Sequence, residues 1–108
     1  MKATPLEDRL IRKILGKDAL IGIIGMGYVG LPLVLRFCEE AFRVLGFDID
    51  SRKVASLRRG KSYLKSISSS RISRFTRRGR LTVTDDFSRL EEPDCILICV
   101  PTPLTEKM

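Results

Sequence analysis

Residues 20–30 read Leu-Ile-Gly-Ile-Ile-Gly-Met-Gly-Tyr-Val-Gly, and this stretch decides the fold. An apolar run typical of a buried strand leads directly into glycines spaced GxGxxG, and a helical pattern follows. Each glycine has a separate predicted use. Gly25 permits a tight turn, Gly27 lets a pyrophosphate approach the backbone, and Gly30 lets the helix pack close to the strand. The context predicts a dinucleotide-binding turn rather than a glycine turn that serves packing alone.

The start of the predicted helix would hold the anion. The N–H groups of Gly27, Tyr28 and Val29 are expected to point out of it, where the helix dipole favours negative charge. The predicted cofactor-binding residues of this turn are Gly25, Met26, Gly27, Tyr28, Val29 and Gly30.

A further predicted contact is Asp48, which closes the apolar run 42–47 eighteen residues after Gly30. A carboxylate at the end of this second strand accepts hydrogen bonds from both adenosine ribose hydroxyls and repels a 2′-phosphate. The sequence therefore predicts NAD, rather than NADP, as the cofactor. The alternative role for such an acid is to cap the next helix, and we assign that role to Asp50 or Ser51.

Basic residues dominate the middle of the chain, whose net charge is +7. Eleven of the twenty Lys and Arg residues lie in residues 52–80. Among them, Arg52 and Lys53 are placed to hold phosphate or ribose, which weakens the exclusion of NADP slightly. Because the charges are scattered and no nucleic-acid-binding signature occurs, we expect a solvated surface facing anionic ligands or an acidic surface in an assembly, not nucleic acid.

Strands and helices alternate along the chain, which predicts a Rossmann-like, doubly wound α/β fold with a parallel sheet. The predicted strands are 20–25, 43–48, 81–84 and 95–100, and the predicted helices are 4–16, 28–41, 51–60 and 70–78. Four strands give an incomplete sheet of order 3-2-1-4. The last strand is apolar on both faces, which predicts that other parts of the protein cover this strand on both sides.

The first predicted helix makes residues 1–18 a short amphipathic unit ahead of a partial NAD-binding domain at 19–108. Thr4 is the predicted N-cap. A stripe at helical spacing, formed by Leu6, Leu10, Ile11 and Ile14, is interpreted as core packing.

The loop after the last strand emerges beside the first strand, at the topological switch point. Its prolines at 101 and 103 make it stiff, and we expect the Thr102 hydroxyl to face the cofactor. An ordinary turn is the alternative.

Composition restricts the remaining possibilities. A chain of 108 residues is one small domain at most, and its 44% apolar content supports a core. We find no signal peptide and no run that approaches a membrane span, so the cytoplasm is the expected location. Three cysteines indicate reduced thiols, with Cys38 expected in the core, and the lack of histidine argues against a metal site.

Three ordered motifs carry a family resemblance. Gly-Met-Gly-Tyr-Val-Gly-Leu-Pro-Leu at 25–33, Gly-Phe-Asp-Ile-Asp at 46–50 and Cys-Val-Pro-Thr-Pro-Leu at 99–104 resemble the UDP-glucose/GDP-mannose dehydrogenase family. Within it, the UDP-N-acetylglucosamine and UDP-N-acetylmannosamine 6-dehydrogenases are the most similar. The resemblance implies an NAD-dependent oxidation of a UDP-sugar C6 alcohol to a carboxylate, polysaccharide biosynthesis and a homo-oligomer. It also places Lys53 and Thr102 at cofactor contacts.

The resemblance covers only the NAD-binding part of such an enzyme. The family's catalytic cysteine lies in a substrate-binding half that this chain lacks, and Cys38, Cys95 and Cys99 match no catalytic position. We therefore expect no oxidation by the chain alone, weak NAD affinity and self-association through an exposed sheet edge. The alternative is a stand-alone NAD or nucleotide-sugar binding module without catalysis. Ala41 departs from the family's glycine, at a cost of about 1 kcal/mol if its φ is positive.

Overall fold

The computed structural model describes residues 5–100 as a four-stranded parallel sheet with helices packed against it. In chain order the elements are α1 (Pro5–Leu15), β1 (Leu20–Ile24), α2 (Gly30–Glu39), β2 (Arg43–Phe47), α3 (Ser51–Arg58), α4 (Ser69–Arg77), β3 (Leu81–Thr84), a 3₁₀ turn (Phe87–Glu91) and β4 (Cys95–Ile98). The strand order is β3-β2-β1-β4, so the predicted Rossmann-like topology is confirmed. Element ends lie within two residues of the predicted ones.

The register brings the carboxyl ends of the inner strands to one edge of the sheet. Ile24, the last residue of β1, pairs with Phe47 of β2 on one side and with Ile98 of β4 on the other. The glycine turn that follows β1 is therefore flanked by Asp48 and by the end of β4. This edge is where ligands bind in open parallel sheets.

One hydrophobic cluster fills the space between the sheet and helices α2, α3 and α4. Ile21, Ile23 and Val44 reach it from the inner strands, because successive side chains of a strand point to opposite faces. The helices contribute Leu31, Val34, Leu35 and Cys38 from α2, Val54 and Leu57 from α3, and Ile72 and Phe75 from α4. The prediction that Cys38 lies in the core is confirmed.

The last strand differs from its prediction. β4 was expected to be covered on both sides, but Ile96, Leu97 and Ile98 are exposed, and Ile98 is 70% accessible. β4 pairs only with β1 within residues 5–100, and no helix of that range follows it to cover its outer face. The prediction that other elements cover β4 on both sides was wrong, whereas the exposed sheet edge that we expected is present within residues 5–100.

Helix α1 also departs from its prediction, because none of its residues is buried. Leu6, Ile11 and Ile14 are all exposed instead of packing in the core. The helix is attached at its C-terminal end, where Lys13 Nζ lies 3.0 Å from Asp94 Oδ1. Helical periodicity specifies that a face is apolar but not what covers it, and this explains the wrong prediction. The predicted cap Thr4 lies outside the described residues.

Two helix ends with similar backbone conformations differ in backbone strain. Ala41, between α2 and β2, has φ of 73°, and Gly79, between α4 and β3, has φ of 70°. Only glycine adopts this left-handed region without a steric penalty. The φ of Ala41 is thus positive, which was the condition for a cost at this position, and its side chain destabilises this connection.

Candidate dinucleotide-binding site

A groove of about 840 Å³ opens at the carboxyl ends of the strands. Six of the predicted contacts line it, namely Gly25, Gly27, Tyr28, Val29, Asp48 and Lys53. The structure thus brings together side chains that are up to twenty-eight positions apart in the sequence. Thr102 lies outside the described residues.

Gly25 and Gly30 shape the turn at the floor of the groove. Gly25 has φ of 100°, and a Cβ there would lie 2.8 Å from the Cys99 carbonyl oxygen. A Cβ on Gly30 would overlap the carbonyl oxygen of Gly25, so α2 approaches β1 as closely as a backbone allows. Both positions therefore require glycine for the fold itself, as their predicted uses state.

Gly27 is different, because a Cβ there would meet nothing closer than the Lys53 amino group, at 3.9 Å. A side chain at this position would occupy the groove rather than disturb the fold. Within residues 5–100, the N–H groups of Gly27, Tyr28 and Val29 donate no backbone hydrogen bond. They lie just ahead of Gly30, where α2 begins, so they form an open set of donors at the positive end of a helix.

Lys53 supplies the positive charge beside this turn. It lies in the first turn of α3, and its Nζ is 5.7 Å from the centre of the Tyr63 ring. The Tyr63 hydroxyl in turn donates a hydrogen bond of 2.5 Å to the Met26 carbonyl oxygen. Burial, together with the charges of Asp48 and Asp50, raises the pKa of Tyr63, so its hydroxyl remains a donor at neutral pH.

Asp48 joins the ends of β1 and β2 and is only 8% exposed. Its Oδ2 accepts from the Met26 N–H, and its Oδ1 accepts from the Asp50 N–H, each at 2.8 Å. An ionised carboxylate has about four acceptor positions, so both oxygens keep capacity for a further donor. These contacts fix the carboxylate at the groove wall without saturating it.

Capping of α3 falls to Asp50, one of the two residues assigned that role. Its Oδ1 accepts from the Arg52 N–H at 2.9 Å, and the Arg52 guanidinium also lies against it. The backbone and side-chain hydrogen bonds from Arg52 lower the pKa of Asp50 below its ordinary value. Arg52 is therefore paired with Asp50 and is not part of the groove lining, whereas Asp50 and Lys53 both line the groove.

Two predicted residues serve the turn from behind. The Met26 side chain is fully buried, and its sulfur lies 2.7 Å from where a Cβ on Gly46 would be. The Met26 N–H is bonded to Asp48 and its carbonyl to Tyr63. Met26 and Gly30 shape the turn, and neither is part of the groove lining.

The site includes several residues that were not predicted as cofactor contacts, and Ile49, Phe87 and the nearby Tyr63 are the ones that the proposals below use. Ile49 and Phe87 form an apolar wall beyond Asp48, and the Phe87 ring centre lies 5.5 Å from that of Phe47. Phe87 follows the third strand, whose end meets the same sheet edge, and that position was the available signal. Tyr63 gave no comparable signal, because it lies in an irregular segment.

Charge is distributed unevenly along the chain. Residues 51–84 contain eleven Lys and Arg and no Asp or Glu, whereas the rest of the chain has nine Lys and Arg against thirteen Asp and Glu. Within residues 5–100 no three potential ligand side chains are grouped to hold a metal ion. In the same range, no helix has the length and apolarity needed to cross a bilayer.

These features fit a dinucleotide. The space over Gly27, the open N–H groups and the Lys53 ammonium suit a diphosphate, since anions bind where donors and a positive helix end converge. The unsaturated Asp48 carboxylate suits vicinal hydroxyls beside it.

Comparisons with known proteins agree with this geometry. The model of the NAD binding domain of the UDP-glucose/GDP-mannose dehydrogenase family matches residues 19–108. The UDP-N-acetyl-D-glucosamine 6-dehydrogenase of Pseudomonas aeruginosa is 31% identical over 90 residues, 83% of this chain and 20% of that protein. The UDP-N-acetyl-D-mannosamine dehydrogenase of Pyrococcus horikoshii is 31% identical over 86 residues, 79% of this chain and 21% of that protein.

A solved structure shares the fold over nearly all of the chain. The NDP-N-acetyl-D-galactosaminuronic acid dehydrogenase of Methanosarcina mazei superposes with a TM-score of 0.77 at 32% identity, covering 96% of this chain and 23% of that one. The chain spans about a fifth of the length of the curated relatives described above. It belongs to the UDP-glucose/GDP-mannose dehydrogenase family and carries the family's NAD-binding domain.

Proposed function

We propose that the groove binds NAD through the glycine turn, Lys53 and Asp48, as part of a nucleotide-sugar 6-dehydrogenase. The observation that carries this proposal is the Asp48 carboxylate, which two backbone N–H groups hold at the groove wall with acceptor capacity to spare. In this proposal the diphosphate lies over Gly27, the ribose hydroxyls donate to Asp48, and the adenine lies against Ile49 and Phe87.

Selectivity for NAD over NADP follows from the same carboxylate. A 2′-phosphate would replace a hydrogen-bond donor with a negative charge at a group that is itself negative. Arg52 would have to leave Asp50 to compensate, because its guanidinium lies against that residue.

The activity of the whole protein is also a proposal. The oxidation of a UDP-sugar C6 alcohol to a carboxylate takes two NAD-dependent steps, in each of which NAD would accept one hydride, and this chain's residues would bind and orient the cofactor for it. We propose a cytoplasmic homo-oligomer that acts in polysaccharide biosynthesis, with a UDP-N-acetyl sugar as substrate. We further propose that 1–18 is a unit separate from the domain 19–108 and that Thr102 contacts the cofactor.

Calorimetric titration with NAD and NADP tests the cofactor site. We expect NAD to bind more tightly than NADP, and Asp48→Asn to weaken NAD about tenfold while narrowing the difference between the two. Asp85→Asn, an exposed acid just after β3, is the matched control and should change neither affinity. Unchanged selectivity in Asp48→Asn would contradict the ribose role.

A pair of glycine variants separates binding from folding. Gly27→Ala should weaken NAD several-fold with an unchanged circular dichroism spectrum, because its Cβ enters the groove. Gly30→Ala should lose folded structure, because its Cβ overlaps the Gly25 carbonyl oxygen. If Gly27→Ala bound NAD normally, a diphosphate over this turn would be excluded.

A further inference from the structure

Tyr63 touches the candidate site through two of its neighbours. Its side chain is half-buried against the hydrophobic cluster, and it lies in the segment between α3 and α4 without lining the groove itself. That segment is held in place by its own hydrogen bonds, in which the Ser62 N–H donates to Ser69 Oγ at 2.9 Å and Ser62 Oγ donates to the Leu64 carbonyl at 3.0 Å. The position of the Tyr63 ring is therefore fixed independently of any ligand.

The two contacts of Tyr63 converge on the glycine turn. Its hydroxyl donates to the Met26 carbonyl, immediately before Gly27, and its ring faces the Lys53 ammonium at 5.7 Å. Lys53 Nζ in turn lies 3.9 Å from the position that a Cβ on Gly27 would take. A lysine has a flexible stem, so a charge at a defined point needs a neighbour that restricts it, and an aromatic face within about 6 Å attracts an ammonium.

We infer that Tyr63 is a positioning residue for dinucleotide binding. Its ring holds the Lys53 ammonium beside Gly27, and its hydroxyl fixes the backbone of the turn from behind. The affinity for the diphosphate then depends on Tyr63 although Tyr63 does not touch it. This inference rests on the proposed NAD site and adds a residue to it that neither the family resemblance nor the glycine motif assigns.

The test compares adenosine with ADP, which differ by the diphosphate, using ligand-observed NMR on the full chain. In the wild type, ADP should bind more tightly than adenosine. Lys53→Met should weaken ADP about tenfold, and Tyr63→Leu should weaken ADP about threefold to fivefold. Adenosine affinity should change less than twofold in both variants. Tyr63→Phe keeps the ring and loses the hydroxyl, so its ADP affinity should lie between those of wild type and Tyr63→Leu.

A double variant separates positioning from structural support. The ring acts through Lys53, so in the Lys53→Met background Tyr63→Leu and Tyr63→Phe, which both lack the hydroxyl, should bind ADP within twofold of each other. Lys61→Met is the matched control, because it removes an exposed positive charge from the same basic segment and should leave ADP affinity within twofold of wild type. Circular dichroism of each variant checks that it is folded.

Each other outcome contradicts the inference in a distinguishable way. Equal weakening of adenosine and ADP by Tyr63→Leu, or weaker ADP binding by Tyr63→Leu than by Tyr63→Phe in the Lys53→Met background, would show that the ring only supports the fold. Unaltered ADP affinity in Tyr63→Leu would show that Lys53 needs no positioning. Wild-type protein that binds neither adenosine nor ADP would overturn the proposed function together with the inference.

Discussion

The strands of this sheet carry similar apolar side chains, yet β1 and β4 have very different surroundings. Ile23 of β1 is fully buried beneath α2, whereas Ile98 of β4 is 70% exposed. Both strands read as continuous apolar runs, but Ile23 points to the face that α2, α3 and α4 cover, whereas Ile98 pairs with Ile24 and points to the opposite face. A run of apolar residues thus shows which side chains favour burial, whereas the arrangement of the other elements decides which of them achieve it.

Thiol labelling should show the largest difference between the two regions. Burial raises the pKa of Cys38, on α2, to about 12. Because the thiolate is the reactive form, a shift of this size lowers its population by on the order of 10³-fold, so Cys38 should react far more slowly at pH 8 than the half-buried Cys95 and Cys99. Mass spectrometry after timed labelling measures the three rates, and the rate at Cys38 should rise with pH.

Labelling in denaturant provides the control, since all three thiols should then react alike. If folded Cys38 reacted as fast as Cys95, α2 would not close this face of the sheet.

Two matched isoleucine truncations should differ in stability. Ile23→Ala should lower the free energy of unfolding by about 2–5 kcal/mol, because it leaves a cavity in a closed core. Ile98→Ala should lower it by less than about 1 kcal/mol, because that side chain is already largely in water. Urea denaturation followed by circular dichroism measures both values, and equal losses would show that β4 is covered in solution.

Self-association should depend on the exposed strand. The wild type is expected to associate with rising concentration in sedimentation velocity, because β4 presents contiguous apolar side chains and an open edge. Ile98→Lys should shift the distribution towards monomer. Leu15→Lys, on the equally exposed α1, tests the competing surface, and a monomer produced only by that variant would move the contact to α1.

The smallest expected change in stability concerns the backbone at the ends of α2 and α4. Ala41→Gly should raise the free energy of unfolding by about 1 kcal/mol, because φ of 73° is strained for alanine. Gly79→Ala should lower it by a similar amount, since φ there is 70° and a Cβ would meet no atom within 4 Å. Thermal unfolding compares the two, and a loss of stability in Ala41→Gly would show that the methyl group makes a compensating contact.

Local patterns were sufficient to predict much of this molecule. The alternation of strands and helices gave the strand order, and the glycine spacing with Asp48 gave residues that the structure brings to one groove. These features depend on short-range backbone constraints and on the right-handed crossover between parallel strands, which nearly all such sheets share. The burial of α1 and β4, which depends on what packs against them, was predicted wrongly.

The residues missed at the site share a physical cause. Phe87 and Tyr63 follow no periodic pattern, and Phe87 reaches the groove and Tyr63 the glycine turn only because the fold places distant segments side by side. A hydrogen bond across thirty-seven positions, such as that from Tyr63 to Met26, leaves no trace in the spacing of residues. A sequence pattern therefore predicts the glycine turn of such a site more readily than the distant residues that hold the turn in place.

The acid-free stretch 51–84 has a consequence for encounter kinetics. Its eleven positive charges outweigh the excess of four acids in the rest of the chain, so the net charge is +7. A protein of this charge attracts a diffusing anion before it touches the surface, and the rate of encounter falls as added salt shortens the range of that field. The basic segment thus affects the rate at which an anionic ligand arrives, and not only the affinity with which it is bound.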